Sequence, residues 1–202
     1  GLPPYMPHLK SNRLLSAQLV SILMIGGHFV LFAYLSPYLL EVIHISSHKV
    51  IWAMAAFGIA GMTGGYLGGL LVDKLSPRLA IVLTPLFYLT SLAAVSLVIE
   101  SSTIFGAVLM VWACVSWMIS PVVQSFLIAT DPATADAGVG INLSAMHIGA
   151  ALGTATGGLA LQYFSLQALP WFGCILAALS LLFALNASRY FPDRRASIDT
   201  FR

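Results

Sequence analysis

Several polar side chains of this protein sit inside long apolar stretches, where hydrogen-bonding groups are costly. Gln18, Ser21 and His28 fall on one stripe at heptad spacing, and Ser116, Ser120 and Gln124 form a second stripe. Asn142 and His147 lie near the start of a third apolar stretch. Amides, hydroxyls and imidazoles so placed can hydrogen-bond a small solute, and an imidazole, ordinarily titrating at about 6.5, can also carry a proton near neutral pH. Taken singly, each of these residues also fits a core position with a satisfied hydrogen bond. Together they outline a polar cavity, for which Tyr34, Tyr38 and Trp117 offer aromatic faces to a sugar or a flat drug. His28 is read equally well as a proton or substrate contact and as a bonded core histidine. The apolar stretches contain no Asp or Glu, so the usual intramembrane proton-carrying carboxylate is absent from them.

The elements that must position these residues follow from composition. Of 202 residues, 59% are hydrophobic and 8% charged, and the mean hydropathy is +0.93. Soluble domains carry about a quarter charged residues, so the solvent of this chain is a lipid bilayer. Six stretches, at 14–40, 50–72, 79–99, 103–129, 137–163 and 167–190, meet the roughly 20 residues a helix needs to cross the hydrocarbon core. Backbone groups in lipid must bond internally, and these runs lack the alternation of a barrel strand. The predicted fold is therefore an all-α membrane protein of six transmembrane helices. Lys10, Arg13, Lys74, Arg78, Arg189, Arg194, Arg195 and Arg202 share one side of it, and only Lys49 falls opposite. The positive-inside rule places both termini in the cytoplasm.

Other classes find little support. The net charge of +2 points to no nucleic-acid partner, and Cys114 and Cys174, both within apolar stretches, suggest neither disulfide nor zinc site. No metal or cofactor is implied. An intramembrane enzyme would need a Ser–His pair in a GxSx setting, two aspartates at depth or an HExxH helix, and none is present. Haem ligation by His28 and His147 would require the two to lie at matching depth.

Glycines organise the spans. GMTGGYLGGLLVD in span two aligns with AALGTATGGLALQ in span five at a constant offset, matching Gly64 with Gly153 and Gly68 with Gly157. Span two runs inward and span five outward, so the copies are inverted. Spans one and four add Ser36-Pro37 and Ser120-Pro121. A three-plus-three inverted repeat is the expectation. Small residues let helix backbones approach closely in lipid, so Gly61 and Gly65, and Gly149, Gly153 and Gly157, are assigned to helix packing. His147 lies about 200° around the helix from Gly149 and should face away from that seam. Kinks at Pro37 and Pro121 would suit gating helices, while Pro85 needs no such role.

The stretch GGYLGGLLVDKLSPR, residues 64–78, resembles the loop motif of the major facilitator superfamily, Gly-x-x-x-Asp-Arg-x-Gly-Arg-Arg. Gly69, Asp73, Lys74 and Arg78 keep its spacing, while Ser76 and Pro77 replace a Gly and an Arg. Residues 24–46 and 131–158 are similar to the seventh helix and to the entry of the eleventh helix in arabinose- and sugar-efflux permeases of the drug:proton antiporter branch. His147 stands near a position where those proteins often have Asn. The resemblance implies the C-terminal six-helix half of a proton-coupled transporter that moves a sugar or drug outward by alternating access. It further implies a cell membrane, bacterial inner membrane location, with protons and a small solute as partners. An N-terminal six-helix half would precede the chain.

On this reading residues 1–13 end a central cytoplasmic linker, 14–190 form the helical half and 191–202 a cytoplasmic tail. Gln18, Ser21, His28, Tyr34, Gln124, Asn142 and His147 are assigned to the substrate or proton pathway. Asp73, badly placed against its own helix dipole, would latch onto the other half, while Lys74 and Arg78 set topology. The alternative is a self-contained six-helix protein, without catalytic activity, that homodimerises through its glycine faces.

Overall fold

A computed structural model of the protein describes residues 10–189. Part of the expected linker and the whole of the expected tail, with Arg194, Arg195 and Arg202, lie outside these residues. The helices are α1 (Asn12–Phe32), α2 (Leu35–Glu41), α3 (Ser47–Lys74), α4 (Pro77–Leu97), α5 (Ser102–Trp117), α6 (Ile119–Thr130), α7 (Ala135–Ala160) and α8 (Leu169–Arg189). Short 3-10 turns, Pro132–Thr134 and Leu166–Ala168, precede α7 and α8. No strand occurs among the described residues.

Among the described residues, five segments are long and apolar enough to cross a membrane: Asn12–Phe32, Ser47–Lys74, Pro77–Leu97, Ser102–Thr130 and Leu166–Arg189. The expected fifth span, α7, is not among them. It has 26 residues, about 39 Å of helix and ample for a bilayer. Its hydropathy is lowered by glycines and by Asp136, Asn142, Ser144, His147, Thr154 and Thr156. Of these, Asn142 and the glycines Gly149, Gly153 and Gly157 are buried in the packing of α7, while Asp136, Ser144 and His147 are exposed.

Spans one and four are each broken in two, and in the same way. Tyr34 N–H turns back to the Leu31 carbonyl (3.0 Å) and Met118 N–H to that of Val115 (3.3 Å), three-residue bonds that end α1 and α5. Pro37 and Pro121 then occupy the third residue of α2 and of α6. A proline ring crowds the carbonyl four residues back and offers no N–H, so the continuous helix fails at Ala33–Tyr34 and at Trp117–Met118. The first turn of a new helix tolerates the missing donor. Pro85, by contrast, sits inside an uninterrupted α4.

The two glycine helices clasp the two broken ones across the repeat. A Cβ added to Gly149 would lie 2.5 Å from the Ile22 carbonyl oxygen, one on Gly157 2.7 Å from that of Val30, and one on Gly153 against the Gly26 carbonyl. So α7 grips α1. A Cβ on Gly68 would lie 2.7 Å from the Met118 oxygen and one on Gly64 would strike the Cys114 carbonyl, so α3 grips α5. The glycine helix of each triplet thus holds the first helix of the other, as two inverted copies require.

One packing assignment is corrected. Gly61 meets Trp117, but a Cβ on Gly65 would meet nothing within 4 Å. Adjacent residues lie about 100° apart around the helix, so Gly64 and Gly65, like Gly68 and Gly69, cannot face the same neighbour. The seam therefore follows Gly61, Gly64 and Gly68, and Gly65 and Gly69 turn away from it.

The remaining elements frame this core. α1 is the most enclosed span, with α7 and α8 against it. Gly27 and Gly173 approach each other backbone to backbone, and Ser180 Oγ donates to the Val20 carbonyl at 3.1 Å. α4 packs on α8, α5 and α6. The serines at the bends act as N-caps: Ser11, Ser76 and Ser101 accept from the backbone N–H three residues on. Ser76 and Pro77, the departures from the loop motif, thereby start α4, with proline at its favoured first position.

Candidate solute-binding site

The expected single polar cavity is divided in the structure. Gln18, Ser21 and Asn142 come together and are 4%, 0% and 0% exposed. Asn142 Nδ2 donates to Gln18 Oε1 (3.0 Å) and Ser21 Oγ (2.8 Å), and Gln18 Nε2 donates to the Gly138 carbonyl (3.0 Å). Asn142 Oδ1 is buried without a partner among the described residues. This cluster pins the start of α7 to α1 near one end of the bundle. Asn186 Nδ2 donates to Ser16 Oγ at 2.9 Å and extends the polar ties to α8.

His28 is elsewhere. Ten residues separate it from Gln18, about 15 Å along α1. It stands near the middle of the α1–α2 rod, 1% exposed. Five aromatic rings surround it: Trp112 at 4.9 Å, Phe32 at 5.0 Å and stacked, Phe29 at 5.4 Å, Phe57 at 5.9 Å and Trp117 at 6.0 Å. Neither ring nitrogen has a hydrogen-bond partner among the described residues. Phe32 also stacks on Phe57 at 5.3 Å, which joins α1 to α3.

A groove opens beside this cluster. It has a volume of about 440 Å³ and is lined by Phe32, Phe57, Met62, Trp117, Ser120 and Pro121 together with Gly58, Gly61 and Gly65. The breaks in the two spans expose its walls, since Phe32 ends α1 and Trp117 ends α5.

The other assigned residues take separate places. Tyr34 sits in the first break, where its hydroxyl donates to the Thr154 carbonyl (3.1 Å) and its ring covers Gly157, a tie between the break and α7. Gln124 Nε2 donates to Ser120 Oγ (3.0 Å) one turn along α6, at the edge of the groove. His147 is exposed on α7, on the side away from buried Gly149. Asp73, Lys74 and Arg78 are exposed where α3 meets α4. Asp73 lies one residue from the end of α3 and is in no ion pair among the described residues. Phe57 and Trp112 escaped the sequence reading, because aromatic residues in apolar spans carry no polar signal. The available clue was their register on their own helices, Phe57 one turn before Gly61 and Trp112 one turn before Ser116.

The sequence profile of the family described as Major Facilitator Superfamily matches residues 16–202. The chain belongs to the major facilitator superfamily. Relatives of this major facilitator chain include the inner membrane transport protein YdhP of Escherichia coli (strain K12). The two are 28% identical over 92% of this chain and 48% of YdhP. A chloramphenicol efflux pump of Mycobacterium tuberculosis is 26% identical over 75% of this chain and 38% of the pump. The fold is that of the Escherichia coli fucose:proton symporter FucP. Its crystal structure superposes with a TM-score of 0.76 at 12% identity, over 91% of this chain and 45% of FucP. The chain spans about half the length, or less, of the relatives it matches.

Proposed function

We propose that this major facilitator chain is the C-terminal six-helix half of a transporter that moves a small solute, a sugar or drug, out of the cell in exchange for protons. α7 is taken as a membrane span, the fifth of six in chain order, and both termini lie in the cytoplasm. The observation that carries the reading is the pair of matched breaks, at Tyr34 and Met118, each held by a glycine helix of the opposite triplet. Broken spans at a site near mid-depth, between inverted repeats, are the construction through which rocking bundles expose a site to alternate sides. The efflux named for the mycobacterial relative supports the outward direction.

The chain's extent relative to its relatives supports a second bundle as the other wall. Asp73 and the outward glycine Gly69 would face that bundle, with Asp73 as the latch. His28 belongs to the binding wall in this scheme. Its neighbours are aromatic rings, and no acid reaches it among the described residues.

The test is transport by the full-length protein in everted membrane vesicles. Proton-gradient-dependent accumulation of chloramphenicol or of arabinose, abolished by a protonophore, is expected. The 202-residue chain alone in proteoliposomes should give no such flux, and co-expression with an upstream six-span half should restore it. Robust transport by the chain alone would overturn the half-transporter reading in favour of a homodimer.

A further inference from the structure

The groove beside His28 carries the reading further, to the class of solute. On the transporter reading above, this groove is where the solute rests, and its lining is selective. Phe32, Phe57 and Trp117 supply ring faces, Met62 and Pro121 supply aliphatic surface, and the polar side-chain groups are the Ser120 hydroxyl and the Trp117 indole N–H. Ser120 Oγ already accepts from Gln124 Nε2. A sugar bears a hydroxyl on almost every carbon, and each one buried without a partner costs about 1–3 kcal/mol. One hydroxyl and one indole N–H cannot answer a ring of them. An aromatic solute gains about 0.5–1.5 kcal/mol for each ring it stacks upon, beyond the area it buries.

Glycines define the shape. Gly58 and Gly65 line the groove, and a Cβ at either would meet nothing within 4 Å. Their lack of side chains is therefore not required by contact with another helix of this chain. It keeps one wall of the groove flat. Gly61, between them, sits against Trp117, and a Cβ there would come within 2.7 Å of the indole. The result is a slot between a bare helix face and aromatic rings.

Behind the rings lies the second observation. His28 has two buried nitrogens without a partner among the described residues, and its ring lies beside three of the groove's aromatic residues, Phe32, Phe57 and Trp117. A buried polar atom without a partner costs about 1–3 kcal/mol. A ligand group reaching between those rings would recover part of that.

We propose that the groove selects a flat aromatic solute carrying one hydrogen-bonding group, with Phe32, Phe57 and Trp117 as its stacking walls and His28 as the partner of its polar group. Polyhydroxylated sugars are excluded by the same lining.

The experiment is equilibrium binding of radiolabelled 2-naphthol to the purified full-length protein in nanodiscs, with empty nanodiscs subtracted. Saturable binding is expected, and xylose in large excess should not compete. Gly65→Leu, which fills the slot and whose Cβ meets none of the described residues of this bundle, should weaken binding roughly tenfold or more. Gly140→Leu, on α7 where a Cβ also meets nothing within 4 Å, should bind as the parent does. His28→Phe should retain naphthalene binding and lose the preference for 2-naphthol over naphthalene. Parent-like binding by Gly65→Leu, equal preference in parent and His28→Phe, or competition by xylose would each overturn the proposal. The assay needs no transport, so the two readings fail separately. Groove-dependent naphthol binding without any efflux would sink the transporter reading alone, whereas proton-driven xylose efflux without naphthol binding would sink this one alone.

Discussion

Replacing Gly149 by alanine tests whether the α1–α7 contact is a backbone seam or ordinary side-chain packing. The added methyl would lie 2.5 Å from the Ile22 carbonyl oxygen and 3.1 Å from its carbonyl carbon and Cα. Ordinary contact begins near 3.5 Å, so the helices must part by roughly 1 Å. The obstructing atoms are backbone and cannot rotate aside. A gap of that size forfeits about a quarter to a half of each dispersion contact along the seam. Overpacking of this kind costs about 1–3 kcal/mol. Stability of the full-length protein in detergent, followed as the monodisperse fraction after heating, should fall for Gly149→Ala and further for Gly149→Leu. Gly65→Ala supplies the control, because its methyl would enter open space. Equal heat resistance of Gly149→Ala and Gly65→Ala would refute the seam.

Other outcomes follow from the same geometry. Asn142→Leu removes two interhelical hydrogen bonds and leaves Ser21 and the Gln18 carbonyl oxygen without their donor, a loss of about 0.6–1.7 kcal/mol on the scale of membrane-helix hydrogen bonds. The same detergent assay should register it. A reporter fused after Arg202 should lie in the cytoplasm and one inserted at Ser46 on the opposite side; the reverse pattern would overturn the orientation. Asp73→Asn should reduce efflux by the full-length protein more than Lys74→Gln does, and equal effects would remove the latch. With His28 in the binding wall, His28→Gln should leave the pH dependence of efflux unchanged while altering the concentration at half-maximal rate.

Some features were legible in the sequence because they depend on neighbours along the chain. Long apolar runs must become helices in lipid whatever they touch, so their approximate extents could be read from hydropathy, and five of the six expected are long and apolar enough to cross a membrane among the described residues. α7 marks the limit, since the glycines and Asn142 that pack it against α1, and the exposed Asp136, Ser144 and His147, all lower its hydropathy. Prolines announced the breaks, because a proline acts on the carbonyl four residues before it. The glycine offset between spans two and five exposed the repeat.

What the chain alone could not decide was which side chains share a volume. Gln18, Ser21 and His28 lie on one stripe of α1, yet about 15 Å of helix separates the amide from the imidazole. Asn142, 121 residues along the chain from Ser21, reaches the near end of that stripe, and aromatic rings from α3 and α5 reach the far end. Helical spacing predicts a shared face but not its neighbours. Only the docking of α7 and α3 onto the broken helices made Gln18 a structural tie and left His28 beside an open groove. Tyr34 shows the same limit: its sequence offered a ring for stacking, and its place in the break turned that ring toward Gly157. Glycine periodicity likewise marked α3 as a packing helix, but its two glycine rows lie about 100° apart around the helix, and only docking on α5 chose the row of Gly64 and Gly68 over that of Gly65. Periodicity is a property of one helix, whereas a cavity belongs to the several helices that leave it unfilled.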